Sequence, residues 1–383
     1  MTRSVRIVQG LEAMRALVPA WDELASVALE PNPFYESWML LPALEAFGLE
    51  RNFRLVTIGD GDRLDAVLPF ERTRGFKGLP LPALGSWLHR HCLLCTPLVR
   101  AEGASETLST LVEWLKAGGE GASIVNLRYI PSDGPFHRAL VATGVPCAVL
   151  NSHARPILRR AKSGEAYISE FIPGKDRQEV RRRERRLREH GQLSHVVLEP
   201  GEDVTRWIDD FLRLEAAGWK GREGSAMICS EANRRFLTET FTAAHRRGRL
   251  EMVGVDLDGK PLARCTGFIT GEGAYAFKPA YDEAFAKFSP GIIAELARIR
   301  NLHERPGFRW MDSYTDTDNT VLSRLWRDRL TVQSLAFGTS TAGALALAAW
   351  PFLRWAKQQG KRLLSAASRK PPLPAPPKQV PVS

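Results

Sequence analysis

Residues 249–312 read RLEMVGVDLDGKPLARCTGFITGEGAYAFKPAYDEAFAKFSPGIIAELARIRNLHERPGFRWMD, and this stretch decides the fold. Three runs, residues 250–255, 262–270 and 274–278, are separated by Asp258-Gly259 and Gly271-Glu272-Gly273. Glycine supplies the positive φ of tight turns, so both breaks predict hairpins. After Phe288-Ser289-Pro290-Gly291, the residues Ile292, Ile293, Leu296 and Ile299 recur at helical spacing. Ser289 suits an N-cap and Pro290 a first helical position. With a further strand expected at 308–311, the order is antiparallel meander, sharp turn, helix, strand. A helix start with small residues and free N–H groups can hold a phosphate; equally, Ser-Pro-Gly can do no more than begin a helix.

The surrounding chain sets the limits. With 383 residues, two domains are expected; 44% hydrophobic and 25% charged residues suffice for real cores. A net charge of +10 favours acidic partners: nucleic acid, an anionic membrane surface or phosphorylated small molecules. The five cysteines (Cys92, Cys95, Cys147, Cys229, Cys265) are odd in number and scattered, which predicts reduced thiols and a cytoplasmic location. The N-terminus has no continuous apolar core of signal-peptide type. The longest apolar run, 335–355, is interrupted by Gly338, Gly343 and Pro351, so a soluble protein is expected.

Before the opening stretch, the pattern predicts a strand at 4–9, helices at 11–27 and 34–47, and a hairpin of strands 53–58 and 64–70 around Gly59-Asp60-Gly61-Asp62. A helix near 106–117 and a strand at 123–127 complete a first lobe, residues 1–150. The second lobe, 151–340, begins with residues 157–159 and a short helix at 164–171, followed by an arginine-rich helix at 175–190. Gly191 ends that helix. A strand at 193–198 and helices at 203–217 and 231–247 lead into the meander, and a short helix at 320–326 and a strand at 331–337 follow it. Both lobes share a coarse order, which suggests duplication of one α+β unit. Residues 341–383 differ: an Ala/Leu/Trp-rich piece, a basic piece and a Pro-rich tail expected to be disordered.

The segment FKPAYDEAFAKFSPG, set after the meander, resembles the GNAT acyltransferase superfamily, and more narrowly its Fem-related CelD/BcsL-type branch of polysaccharide-biosynthesis acetyltransferases. The same resemblance covers Phe34-Tyr35-Glu36-Ser37-Trp38, residues 66–70, the basic helix at 177–188 and residues 214–224 (LEAAGWKGREG). It implies two tandem GNAT-like lobes, each a mixed, mostly antiparallel sheet flanked by helices. It implies acetyl-CoA or another acyl-CoA as co-substrate, with the pyrophosphate on Phe288, Ser289, Pro290, Gly291 and Ile292, and the 274–278 strand presented to the thioester. The usual Gln/Arg-x-x-Gly-x-Gly/Ala pyrophosphate signature is missing, and Fem-type relatives use other donors, notably aminoacyl-tRNA.

Acylation of an amine or hydroxyl needs a proton acceptor. Lys278, Tyr281, Asp282, Asp312, Tyr314, Asp316 and Asp318 lie at strand ends and turns. Asp312 leads, being expected to face a cleft from a strand end, with Tyr281 and Lys278 beside it; its alternative is a turn residue. Trp219, Lys220 and Arg222 could line an acceptor pocket, or Gly218 and Gly221 simply end a helix with Trp219 folded inward. The helix at 176–190 holds enough arginine for nucleic acid, but its interleaved glutamates fit a solvated face, so nucleic acid is disfavoured. His89-Arg90-His91-Cys92 has no second ligand cluster, and no metal is expected. Residues 345–362 could meet an anionic membrane face or a synthase complex, or dock on the protein itself. The expectation is an acyl-CoA-dependent acyltransferase with a small-molecule or saccharide acceptor. A non-catalytic accessory protein of a polysaccharide synthase and an aminoacyl-tRNA-dependent ligase compete with it.

Overall fold

The computed structural model describes residues 3–48, 52–315 and 320–352. The first lobe contains β1 (Ser4–Val8), α1 (Leu11–Ala16), α2 (Val18–Ser26), α3 (Ser37–Phe47), β2 (Phe53–Asp60), β3 (Arg63–Thr73) and β4 (Ala83–Ser86). It continues through β5 (Leu98–Val99), α4 (Ala104–Lys116), β6 (Ile124–Pro131), α5 (Pro135–Ala142) and β7 (Cys147–Arg159). Next come α6 (Gly164–Phe171), α7 (Gly174–Arg188), β8 (Leu193–Val197), α8 (Val204–Ala217), α9 (Trp219–Arg222) and α10 (Glu231–Arg246). The meander is β9 (Leu250–Leu257), β10 (Lys260–Thr270) and β11 (Gly273–Tyr281), followed by α11 (Pro290–Glu304) and β12 (Trp310–Asp312). The chain then adds α12 (Thr320–Leu325), β13 (Asp328–Gly338) and α13 (Thr341–Ala348).

One mixed sheet runs through both lobes in the order β1-β2-β3-β4-β6-β13-β7-β12-β11-β10-β9-β8, with β5 beside β3. Each lobe has an antiparallel meander and one parallel pair: β4 with β6, and β11 with β12. The closing strands are exchanged. β7, from the first half of the sequence, pairs with β12 of the second, whereas β13 pairs with β6 of the first. The two lie antiparallel along ten paired positions and join the halves. In this arrangement α4, between β4 and β6, is the topological counterpart of α11, between β11 and β12.

Helices α1–α3 and α8–α10 share one face of the sheet, where a single apolar cluster takes Trp21, Phe34 and Trp38 from the first lobe and Phe211, Phe241 and Phe268 from the second. On the other face α4 and α5 cover the first lobe, and α6, α11 and α12 the second. α3 is apolar on nearly every side and is buried from Ser37 to Leu44 apart from Pro42, as expected of a helix wedged between two layers.

Glu30 shows how burial creates pH sensitivity. It is 8% exposed and accepts from Phe136 N at 3.1 Å, at the start of α5. Burial raises its pKa to about 7 against the bond to Phe136 and the Arg138 charge, which lower it. A raised carboxyl pKa favours folding below its ordinary value, and this contribution is lost as pH climbs through about 7. Glu30→Gln, neutral throughout, should match the wild type at pH 4.5 and exceed its stability at pH 8 by about 2–3 kcal/mol, measurable by denaturant unfolding at both values.

Candidate active site

The site is built around the end of β11. Gly267 pairs with Ala276 and Cys265 with Pro279, so Thr266 faces two residues, Phe277 and Lys278. This is a β-bulge, which re-aims the side chains that follow it. Thr266 Oγ1 fixes it by donating to Lys278 O (2.9 Å) and accepting from Lys278 N (3.1 Å). That amide is therefore not available to a thioester, contrary to the expectation for the whole 274–278 run. On the opposite edge β11 pairs with β12 only from Gly273 to Tyr275, because β12 stops at Asp312. Beyond Tyr275 the two parallel strands part, leaving β11 without a strand neighbour on that edge.

α11 approaches from one side of this opening. Ser289 occupies its N-cap position in the left-handed region (φ 55°). Its hydroxyl does not cap the helix; instead Oγ accepts from Arg183 of α7. The carbonyl of Ser289 takes the N–H groups of Ile292 and Ile293, at 3.0 and 3.2 Å. Pro290 has no N–H, and that of Gly291 donates to no backbone acceptor among the described residues. A Cβ added to Gly291 would lie 3.5 Å from the Tyr281 ring, an ordinary contact, so the turn is open rather than filled. Phe288 is buried against α7 and β9. A free N–H, a helix dipole and an arginine thus converge, which suits an anionic group.

The other face of the sheet holds Lys278. Its ammonium makes no ion pair among the described residues and lies 5.7 Å from the Phe277 ring. Burial, then the charge of Lys220, lower its pKa to about 8, with Arg90 acting in the same direction and Glu215 against. Lys220 is held by the buried Glu215 at 2.8 Å. Glu215 also accepts from Met227 N, at 2.7 Å. Trp219 and Arg222 are clasped by Glu283, which accepts from Trp219 N and the Arg222 guanidinium at 2.7 Å each. Trp219 is half exposed, not folded inward. Gly221 must be glycine here, since a Cβ would fall 1.8 Å from Ala216 O.

Two sequence-predicted groups therefore meet: Lys278, Tyr281, Trp219, Lys220 and Arg222 gather around the end of β11, and Ser289, Pro290, Gly291 and Ile292 lie just across it. Asp312 does not join them. It is 1% exposed, its Oδ2 accepts from Arg155 at 2.6 Å, and Oδ1 accepts from Tyr314 N at 2.9 Å. The expectation that it faces a cleft is corrected: Arg155 is also fully buried, and the two neutralise each other. Asp282 caps the short 3-10 turn after β11, accepting from Ala284 N. Tyr314 is buried, with its hydroxyl accepting from Leu93 N (2.6 Å) and donating to His91 O (3.0 Å). Asp316 and Asp318 lie outside the described residues.

The first lobe contributes residues the sequence reading set aside. His91 bonds Asn233 of α10 at 3.0 Å, and its pKa is lowered to about 4, first by burial and then by the Lys278 charge. His89 stacks on Phe47 with ring centroids 4.8 Å apart, and burial brings its pKa to about 3. Both rings are neutral at pH 7. Arg90 and the His89 ring border a cavity of about 240 Å³ with Phe47, Phe53, Glu71 and Trp87. Larger cavities, of 650 and 370 Å³, lie at the opposite end of the strands beside the Gly271 turn. No group of three or more potential metal ligands converges among the described residues.

Against this geometry, residues 174–319 match the family model of an acetyltransferase (GNAT) domain. No curated protein matches the chain. Among solved structures, FemX aligns with a TM-score of 0.54 at 12% identity, over 88% of this chain and 97% of that one. A conserved protein of unknown function from Bacteroides thetaiotaomicron VPI-5482 gives 0.53 at 12% identity, over 88% and 100%. At such identities the likeness concerns the fold alone. The stretch from α7 to β12 therefore matches a GNAT domain, and the chain shares its overall fold with these structures.

Proposed function

We propose that the protein transfers an acyl group from an acyl-CoA, acetyl-CoA first, to an amine or hydroxyl, with Lys278 taking the acceptor's proton. The observation that carries this reading is the position of Lys278. It is a half-buried lysine with no ion-pair partner among the described residues and a pKa of about 8, on the face of the sheet opposite the open turn of α11. A base works best when its pKa lies near the operating pH. The pyrophosphate would rest on Gly291 N–H and Arg183, and the pantetheine arm would follow the free edge of β11 between the parting strands. The acceptor would enter from the α8–α10 side, past Trp219, Lys220 and Arg90. The neutral amine or hydroxyl attacks the thioester carbon as Lys278 removes its proton; the C–S bond breaks, and the thiolate leaves to be reprotonated. A saccharide acceptor, and a place in polysaccharide biosynthesis, rest on the motif resemblance.

Calorimetry tests the cofactor half. Acetyl-CoA should bind the wild type and Gly291→Ala alike, because a Cβ fits beside Tyr281. Gly291→Glu should weaken binding at least tenfold while leaving Tm unchanged, since its carboxylate meets the pyrophosphate. Equal binding by all three, or binding by none in folded protein, would sink this reading.

One observation favours a second donor, aminoacyl-tRNA. Arg181 and Arg185 lie exposed one turn apart on α7 with no ion-pair partner among the described residues. Phosphate contacts of that kind weaken steeply with salt. Binding of tRNA that falls with salt and disappears in Arg181→Ala/Arg185→Ala, with no acetyl-CoA binding, would select it.

A further inference from the structure

The cavity beside His89 is lined from the first lobe, by the end of α3, by β2 and β3, and by the chain after β4; neither Lys278 nor the open turn of α11 borders it. Phe53 of β2 and Glu71 of β3 are direct cross-strand partners, so both side chains leave the sheet on the same face. The Trp87 ring meets Phe53 edge-on with centroids 5.6 Å apart, and stands 5.5 Å from His89. With Phe47 stacked on His89, four rings border one small space.

The polar groups on this wall have no partners. His89 is 7% exposed, yet neither of its ring nitrogens has a hydrogen-bond partner. Trp87 is equally buried, and its indole N–H donates to nothing among the described residues. Glu71 is half-buried and Arg90 exposed, and neither forms an ion pair with the other or with any described residue. Buried polar groups are ordinarily satisfied, so a wall with this many exceptions is incomplete. Two opposite charges held apart across a cavity are complementary to a ligand that carries both signs. Arg90 and the Trp87 N–H suit a carboxylate. Glu71 among the rings suits an ammonium, which is drawn to a carboxylate and to aromatic faces alike. His89, neutral at pH 7, adds one donor and one acceptor. A volume of about 240 Å³ falls below the roughly 300–1,000 Å³ of sites for drug-sized molecules, so the ligand is small. A sugar would leave both charges unanswered, and a simple amine or acid would leave one.

We propose that this cavity binds a free amino acid with an apolar or aromatic side chain. Its carboxylate would meet Arg90 and Trp87, its ammonium Glu71, and its side chain the rings. The site is additional to the acyl-transfer site and does not depend on its chemistry.

The test is calorimetry of the full chain with L-phenylalanine and L-leucine, and with the decarboxylated amine and the deaminated acid of each. At least one amino acid should bind, and its two single-charge analogues should bind about tenfold more weakly or worse, each forfeiting a charge-assisted contact. Glu71→Gln keeps the shape of the side chain and removes its charge, so amino-acid affinity should fall about tenfold with Tm unchanged. Trp87→Phe keeps a ring and removes the N–H, and should weaken the amino acid but not the amine. Binding of neither amino acid, or equal binding of the amine alone, overturns the proposal, as does unchanged affinity in Glu71→Gln. Acetyl-CoA binding is a separate titration: its failure would bear on the transfer reaction and leave the amino-acid site standing.

Discussion

Lys278→Met is expected to lower turnover by about 10²–10⁴-fold, the usual range for removing a general base, while acetyl-CoA affinity stays within a factor of two. Methionine reaches as far as Cε as an unbranched apolar chain and lacks the titrating nitrogen, so the fold should survive. The pH profile supplies the sharper evidence. In the wild type the rate should rise as pH climbs through about 8, where the Lys278 ammonium loses its proton. Lys220→Met removes a neighbouring positive charge and leaves Glu215 uncompensated, and both changes favour the charged form of Lys278. The rise should therefore move upward, toward the ordinary lysine value of about 10.4. An unshifted profile in Lys220→Met would separate Lys278 from the titration, and full activity in Lys278→Met would end its role as base.

Asp312→Ala should destabilise the protein by about 3–5 kcal/mol, the cost of stranding a buried cation. The cation is Arg155, 0% exposed, which donates to Asp312 and, at 2.7 Å, to Leu93 O. Leu93 and His91 are in turn tied to Tyr314, so loss of the pair should loosen the loop that brings His91 to the site. Asp312→Asn keeps an acceptor for Arg155 and for Tyr314 N, and should cost less than Asp312→Ala. A denaturant series on the two variants measures the difference. A direct chemical role would give the reverse pattern: normal stability in both variants and equal loss of activity.

Much of the local order was legible in the residues. Gly259 and Gly271 do adopt positive φ, at 72° and 51°, in the two hairpins expected of them. Pro290 does open a helix, and the strand after it ends at Asp312. What local reading missed depends on distant partners. Asp312 and Arg155 are 157 positions apart, and nothing near either residue announces the other. Lys278 and Tyr281 looked alike as polar residues near a strand end. Only the bulge opposite Thr266 turns Lys278 toward Lys220 and His91. His91 itself looked like a stray metal ligand because its neighbours, Asn233 and Phe277, belong to the other lobe. Strand edges carry no local code for their neighbours, so the crossing of β7 and β13 was invisible as well.

That crossing has a consequence for how the chain is made. Among the described residues β6 finds its antiparallel neighbour only in β13, which ends at Gly338. While the ribosome is still adding the second lobe, the first must wait with an open sheet edge, since its own last strand is destined for β12. Unpaired edges of this kind invite association between nascent chains. The His91 loop of the first lobe and α11 of the second therefore take their final places in one late event, when the last strand closes both halves together.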